Sequence, residues 1–198
     1  MTDPDLDPLL SFLTDAGRLK RLRRAGWVRV GVPDSESVAD HSYRVAVMAL
    51  LIGPRLGLNV DRLVRLALIH DLAEARVGDL TPLDAVSPTE KSDLESAAFV
   101  DIVDGLSEGE ALYDLWLEYE SGATPEARSA RQLDKLELAL QALEYEQASL
   151  AASPGSQRPR SGWADEYWAS ARSGLSEPLL IALFDRLFER RPVRPSPG

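Results

Sequence analysis

SVADHSYRVAVMALLIGPRLGLNV, residues 37–60, is the stretch whose reading decides the fold. Ser37 followed three residues later by Asp40 is a capping box: the hydroxyl accepts an early helix N–H and the carboxylate reaches back. Val38, Val45, Met48 and Ile52 then recur at helical spacing, which predicts a helix from Val38 to about Leu56, ending near Gly57. Asn59 caps a second helix, Val60 to about Arg76, which stops near Gly78.

The same punctuation continues outward. Upstream, Leu9, Leu10, Leu13, Ala16, Leu19 and Leu22 give helical spacing over Leu6 to Arg24, and Trp27 to Pro33 reads as a short irregular or extended stretch. Downstream, Pro82 to Val86 is a loop. Ser87, Pro88 and Glu90 then supply an N-cap, a proline at N1 and a glutamate at N3. Helices are expected at about 88–104 and 107–121, separated at Gly105. Thr124-Pro125-Glu126 opens a long helix to about 150, and after a loop from Ser153 to Gly162 two more fit 163–172 and 176–190. No alternating strand pattern and no internal repeat interrupts this. The expectation is a single all-α helical bundle over residues 1–190 with a mobile proline-rich tail, 191–198.

Composition narrows the function. With 198 residues, 44% hydrophobic and 27% charged, the chain has the balance of one soluble globular domain and not of a disordered one. Apolar runs such as Val45 to Ile52 fall far short of the roughly 18 residues of a membrane span. The acidic N-terminus does not look like a secretory signal, so a cytoplasmic protein with no membrane partner is expected. There is no cysteine, which excludes disulfides, zinc–thiolate sites and iron–sulfur clusters. A net charge of −10 disfavours a nucleic-acid polymer as partner but leaves room for a small anion at a local basic patch. Arg18, Lys20, Arg21, Arg23, Arg24 and Arg29 form such a cluster, and equally fit a solvated helix face. Of the 22 bases only 3 are lysine, a bias read as genomic.

Only two histidines occur, His41 and His70. His70, Asp71, Glu74 and Asp79 put four metal-binding or proton-transfer groups into one short segment, with Glu74 on the face of its two predecessors. Alone, the segment also fits an ordinary helix end with surface acids. His41 lies within an apolar helix, where a histidine satisfied by the core is the simpler reading. Asp134 stands at the edge of an apolar stripe with Ala130 and Leu138, and a carboxylate there is costly unless it is paired or metal-bound. Trp163, Tyr167 and Trp168 form an aromatic group at helical spacing, read as core packing or a dimer contact in preference to base stacking.

Taken together, His41, His70-Asp71 and a distant Asp134 resemble the H…HD…D pattern of the HD-domain metal-dependent phosphohydrolases. Arg24 to Val28, Glu36 to Ala49, Val64 to Glu74, Val77 to Asp79, and Gln132 to Glu146 are similar to the 5′-deoxynucleotidases of the HD domain-containing protein 2 type, over roughly residues 8–190. The resemblance implies hydrolysis of deoxyribonucleoside 5′-monophosphates to nucleoside and phosphate. It implies a divalent metal ion on His41, His70, Asp71 and Asp134. Glu74 and Asp79 are implied as essential acids, which with the backbone carbonyl of Leu80 hold a second ion. In the bacterial branch an arginine directly before the tryptophan helps to select deoxyribose; here Gly26 stands there, leaving Arg24 and Trp27 as the candidate substrate contacts. The resemblance also favours a homodimer. Donors of nitrogen and oxygen without sulfur suit Mn²⁺, Co²⁺ or another first-row transition metal, and an all-oxygen second site suits Mg²⁺. Two rivals remain at this point. One is another HD-domain reaction on a nucleoside triphosphate, cyclic nucleotide or alarmone. The other is a non-catalytic metal-bound regulatory module.

Overall fold

The computed structural model describes residues 6–81, 84–153, 155–160 and 162–192. Among them ten α-helices run in chain order: α1 Leu6–Arg18, α2 Ala25–Arg29, α3 Val38–Ile52, α4 Val60–Ile69, α5 Glu74–Val77, α6 Pro88–Val103, α7 Gly109–Ser121, α8 Pro125–Ala151, α9 Trp163–Ser173 and α10 Pro178–Phe188. The β-type pairing found among these residues is an isolated antiparallel bridge between Arg23 and Ser37. The all-α class is as the caps predicted. The capping boxes at Ser37–Asp40 and Ser87–Glu90 are both made, and Asn59 and Thr124 each accept a backbone N–H of the helix they start. The loop residues Pro82, Leu83, Pro154 and Ser161, and the expected tail from 193 onward, lie outside the described residues.

The centre is α3, α4 and α8, each packed on the other two. On α8, Ala127, Ala130, Ala139 and Ala142 are fully buried, and their small side chains let α4 and α9 approach closely. Helices α6 and α7 pair beside this centre, while α9 and α10 cover the far side of α8. Arg191 closes that side: its guanidinium lies over the rings of Trp168 and Phe188 and pairs with Glu146 and Asp165.

Three elements depart from the periodicity reading, each for a local reason. The first helix stops at Arg18, and residues 19–24 run across the start of α3. The carbonyls of Leu19 and Leu22 accept the N–H groups of Ala39 and Val38, two donors that a helix N-terminus leaves without an internal partner. Residues 27–29, at the start of the stretch expected irregular or extended, belong to α2. Its first N–H groups have no side-chain cap from Arg24; instead the Ala25 N–H donates to Asp79 at 2.7 Å. The helix expected from Val60 to Arg76 leaves the α form after Ile69. From there Leu72, Glu74, Ala75 and Arg76 donate to carbonyls three residues back. That tightening brings residues three apart nearly into register, so Asp71 and Glu74 share one side. Gly78, at φ +83°, then turns the chain and delivers Asp79.

Candidate active site

His41 from α3, His70 and Asp71 from the tightened turn after α4, and Asp134 from α8 converge at the centre of the bundle. The Nε2 atoms of His41 and His70 are 3.3 Å apart. His41 Nε2 is 3.2 Å from Asp134 Oδ1 and 3.7 Å from Asp71 Oδ2, and His70 Nε2 is 3.1 Å from Asp71 Oδ2. His41 is fully buried and His70 nearly so.

The outer nitrogens fix the chemistry of the inner ones. His41 Nδ1 lies 2.5 Å from Glu137 Oε2, and His70 Nδ1 lies 2.8 Å from the Ala67 carbonyl. Both partners are acceptors, so each Nδ1 carries a proton, and each Nε2 is the inward nitrogen whose lone pair a cation would take in place of a proton. Two lone pairs and two carboxylates facing one point are the donor set of a divalent cation. Burial and Arg24 oppose a positive charge on His41, but its hydrogen bonds to Asp134 and Glu137 outweigh them and push the imidazole up to about 9. Burial opposes charge on Asp71 and Asp134 as well. His70 and Arg24 hold Asp71 well below the usual carboxylate range, and Lys135 and His41 do the same for Asp134. The acids are thus charged and the field between the rings favours a cation.

Glu74 supports the same fit. It is buried, and its Oε2 has no hydrogen-bond partner. Burial, Asp71 and Asp79 push its carboxyl up. Such a group needs a cation or a proton beside it. Asp79 is tied to the Ala25 N–H, and the Leu80 carbonyl accepts a hydrogen bond from Lys91 Nζ at 3.0 Å.

A cavity of about 740 Å³ opens over His70, Asp71 and Asp134, within the size range of small-molecule sites. Glu74, Asp79 and Leu80 line it, and so do six cations: Arg24, Arg29, Lys91, Arg131, Lys135 and Arg160. Seven acids line it too, so the cavity is mixed in charge, and only Arg24 and Arg29 of the N-terminal basic cluster belong to it. Arg24 reaches Asp71 at 3.3 Å, while Lys135 pairs with Asp134 at 3.0 Å. Trp27 is 1% exposed. Its indole stacks on Tyr167 with centroids 4.2 Å apart, and its N–H donates to Glu36 at 2.8 Å. Of the aromatic group read as core, Trp163 and Trp168 are buried, whereas Tyr167 also lines the cavity.

Residue spacing did not single out Glu137, Lys91, Lys135 or Tyr119. Glu137 is a fully buried acid one turn after Asp134, held by Arg44 as well as His41. Tyr119 lies with its ring 5.1 Å from His70; burial, Asp134 and Asp71 push its phenol up, so it remains a neutral donor. Two of the three lysines line the cavity, a signal that an arginine-rich composition made easy to pass over.

The HD-domain family profile matches residues 16–166, more than half of the chain. This chain belongs to the HD-domain family. Among its HD-domain relatives, 5′-deoxynucleotidase HDDC2 of Danio rerio is 40% identical over 188 residues, covering 94% of this chain and 89% of the relative. The Homo sapiens protein of the same name is 42% identical over 185 residues, covering 92% and 86%. A conserved hypothetical protein of Pyrococcus furiosus superposes with a TM-score of 0.70 at 34% identity, covering 92% of this chain and 98% of that one. The match reaches from before α2 into α9, so the histidines, acids and cations of the site all lie within it, and Tyr167 stands one position beyond its end. A second acidic group, Glu36 with Glu137 around His41, sits behind the site. There Arg44 already neutralises Glu137, and the His41 nitrogen facing it is the protonated one, so it is a support for the imidazole and not a further ion site.

Proposed function

We propose that this HD-domain protein hydrolyses deoxyribonucleoside 5′-monophosphates to nucleoside and phosphate, with a divalent metal ion held by His41, His70, Asp71 and Asp134. The observation that carries the reading is the convergence of these four groups, separated by up to 93 positions, three of them on the wall of a cavity that also holds six cations. The relatives' activity agrees with it. Nitrogen and oxygen donors favour Mn²⁺, Co²⁺ or another first-row transition metal at this site. Glu74, Asp79 and the Leu80 carbonyl, all oxygen, fit Mg²⁺ as a second ion.

When bound, the ion supplies Lewis acidity and lowers the pKa of water. The chain's own groups do the rest. Arg24 offers a planar fork to the phosphate oxygens, and Lys91 and Lys135 offer point charges. With the second site empty, Glu74, whose surroundings favour its protonated form, is placed to protonate the leaving 5′-oxygen as the P–O bond breaks, while Asp79 holds α2 and hence Arg24 in position. The protein is proposed to act in the cytoplasm as a homodimer.

The test is phosphate release from dAMP, AMP, dATP and cyclic AMP with Mn²⁺, Co²⁺ or Mg²⁺ added. Release from dAMP above the others supports the reading. Turnover of only dATP or cyclic AMP would move the protein to another HD-domain reaction, and metal binding without any release would make it a regulatory module.

A further inference from the structure

We infer that Tyr167 is the side chain that meets the sugar of the substrate and excludes a 2′-hydroxyl. This rests on the nucleotide hydrolysis proposed above. Trp27 borders the cavity too, but presents almost no surface to a ligand. Tyr167 covers one face, Trp163 and Tyr145 meet it edge-on at 5.8 and 5.3 Å, and 1% of its surface is exposed. Tyr167 is only half-buried, lines the cavity, and makes no hydrogen bond to the described residues.

Its place follows from three consecutive residues at the start of α2. Arg24 reaches Asp71, the Ala25 N–H binds Asp79, and Gly26 lies against the Tyr167 hydroxyl. A helix rises about 1.5 Å per residue, so Tyr167 stands a short step from the acids that face the phosphate. In this inference the sugar, the part of a nucleotide next to its phosphate, falls against Tyr167. Gly26 is what makes room: a Cβ built there would be 3.0 Å from the Tyr167 oxygen and 3.4 Å from its ring. Any other residue at position 26 would make the tyrosine give way by a few tenths of an ångström, so Gly26 and Tyr167 form a closely fitted pair. A 2′-hydroxyl brought against the ring loses water without gaining a partner, whereas a 2′-methylene does not.

The experiment compares kcat/KM for dAMP and AMP in the metal-loaded wild type, Tyr167→Ala, Tyr167→Phe and Gly26→Ala. It is paired with calorimetric binding of deoxyadenosine and adenosine to the same proteins. The wild type should prefer dAMP. Tyr167→Ala should lower the dAMP/AMP ratio roughly tenfold or more, Tyr167→Phe should keep it, and Gly26→Ala should lower it without emptying the core. The two nucleosides should follow the same order in binding. An unchanged ratio in both Tyr167→Ala and Gly26→Ala, or a wild type that cleaves dAMP and AMP equally, overturns the role of Tyr167 and leaves the hydrolysis standing. A wild type that releases phosphate from neither overturns both.

Discussion

Glu137 Oε2 lies 2.5 Å from His41 Nδ1, with both side chains fully buried and Arg44 on the other carboxylate oxygen. The acid fixes the ring's tautomer and raises the basicity of the nitrogen that faces the cavity. Glu137→Gln keeps an acceptor but removes the charge. Its Mn²⁺ affinity, measured by calorimetry, should fall roughly 10–100-fold. Wild-type affinity would show that Glu137 serves packing alone.

Removing the ion should act on stability as well as on turnover. Chelation should abolish phosphate release and, at about 100-fold excess of metal over its Kd in the reference sample, lower Tm by roughly 5–10 °C. Added Mn²⁺ should restore both. In His70→Ala the chelator should no longer move Tm, which differential scanning calorimetry reads directly.

Glu74→Gln separates the acid from the metal site. Turnover of dAMP should fall by a factor on the order of 10² or more, while Mn²⁺ still binds and Tm in chelator does not drop, since a buried carboxyl crowded by Asp71 and Asp79 is relieved. A large fall in metal-free Tm would assign Glu74 to the scaffold.

Trp27→Ala should cost about 3–5 kcal/mol, as for other large buried aromatics. Urea unfolding should show this with or without nucleotide present. A loss below about 1 kcal/mol would contradict its place among Tyr145, Trp163 and Tyr167.

Ser37→Ala should cost about 1 kcal/mol through the lost cap of α3, and leave the Mn²⁺ affinity within a few-fold. A large loss of affinity would mean that His41 depends on the cap for its position.

The helices were legible because their ends carry chemistry: Ser37, Asn59, Ser87 and Thr124 each mark a start with a side chain that accepts an N–H. Where an end is made by tertiary contact the sequence is mute. Gly17 stands beside the halt of α1 at Arg18 but lies within the leucine spacing that continues to Leu22, and residues 19–24 are held instead by Val38 and Ala39 donating to the carbonyls of Leu22 and Leu19. The tightened turn at His70 has the same character. The four inward groups were found through motif order, and Asp134 also through the cost of an acid on an apolar stripe. Glu137 carried that same cost and went unread, since nothing local distinguishes an acid aimed at a distant imidazole from one on a solvated face.

The inward-facing groups come from three parts of the chain, at positions 41, 70–71 and 134. A growing polypeptide therefore exposes two imidazoles and one acid long before the last acid is made. Until α8 docks against α3 and α4, the earlier groups lack both Asp134 and the Glu137 that orients His41. Capture of the proposed ion would then be a late event in biogenesis, and a chain terminated before α8 would carry both histidines without the full proposed ligand set.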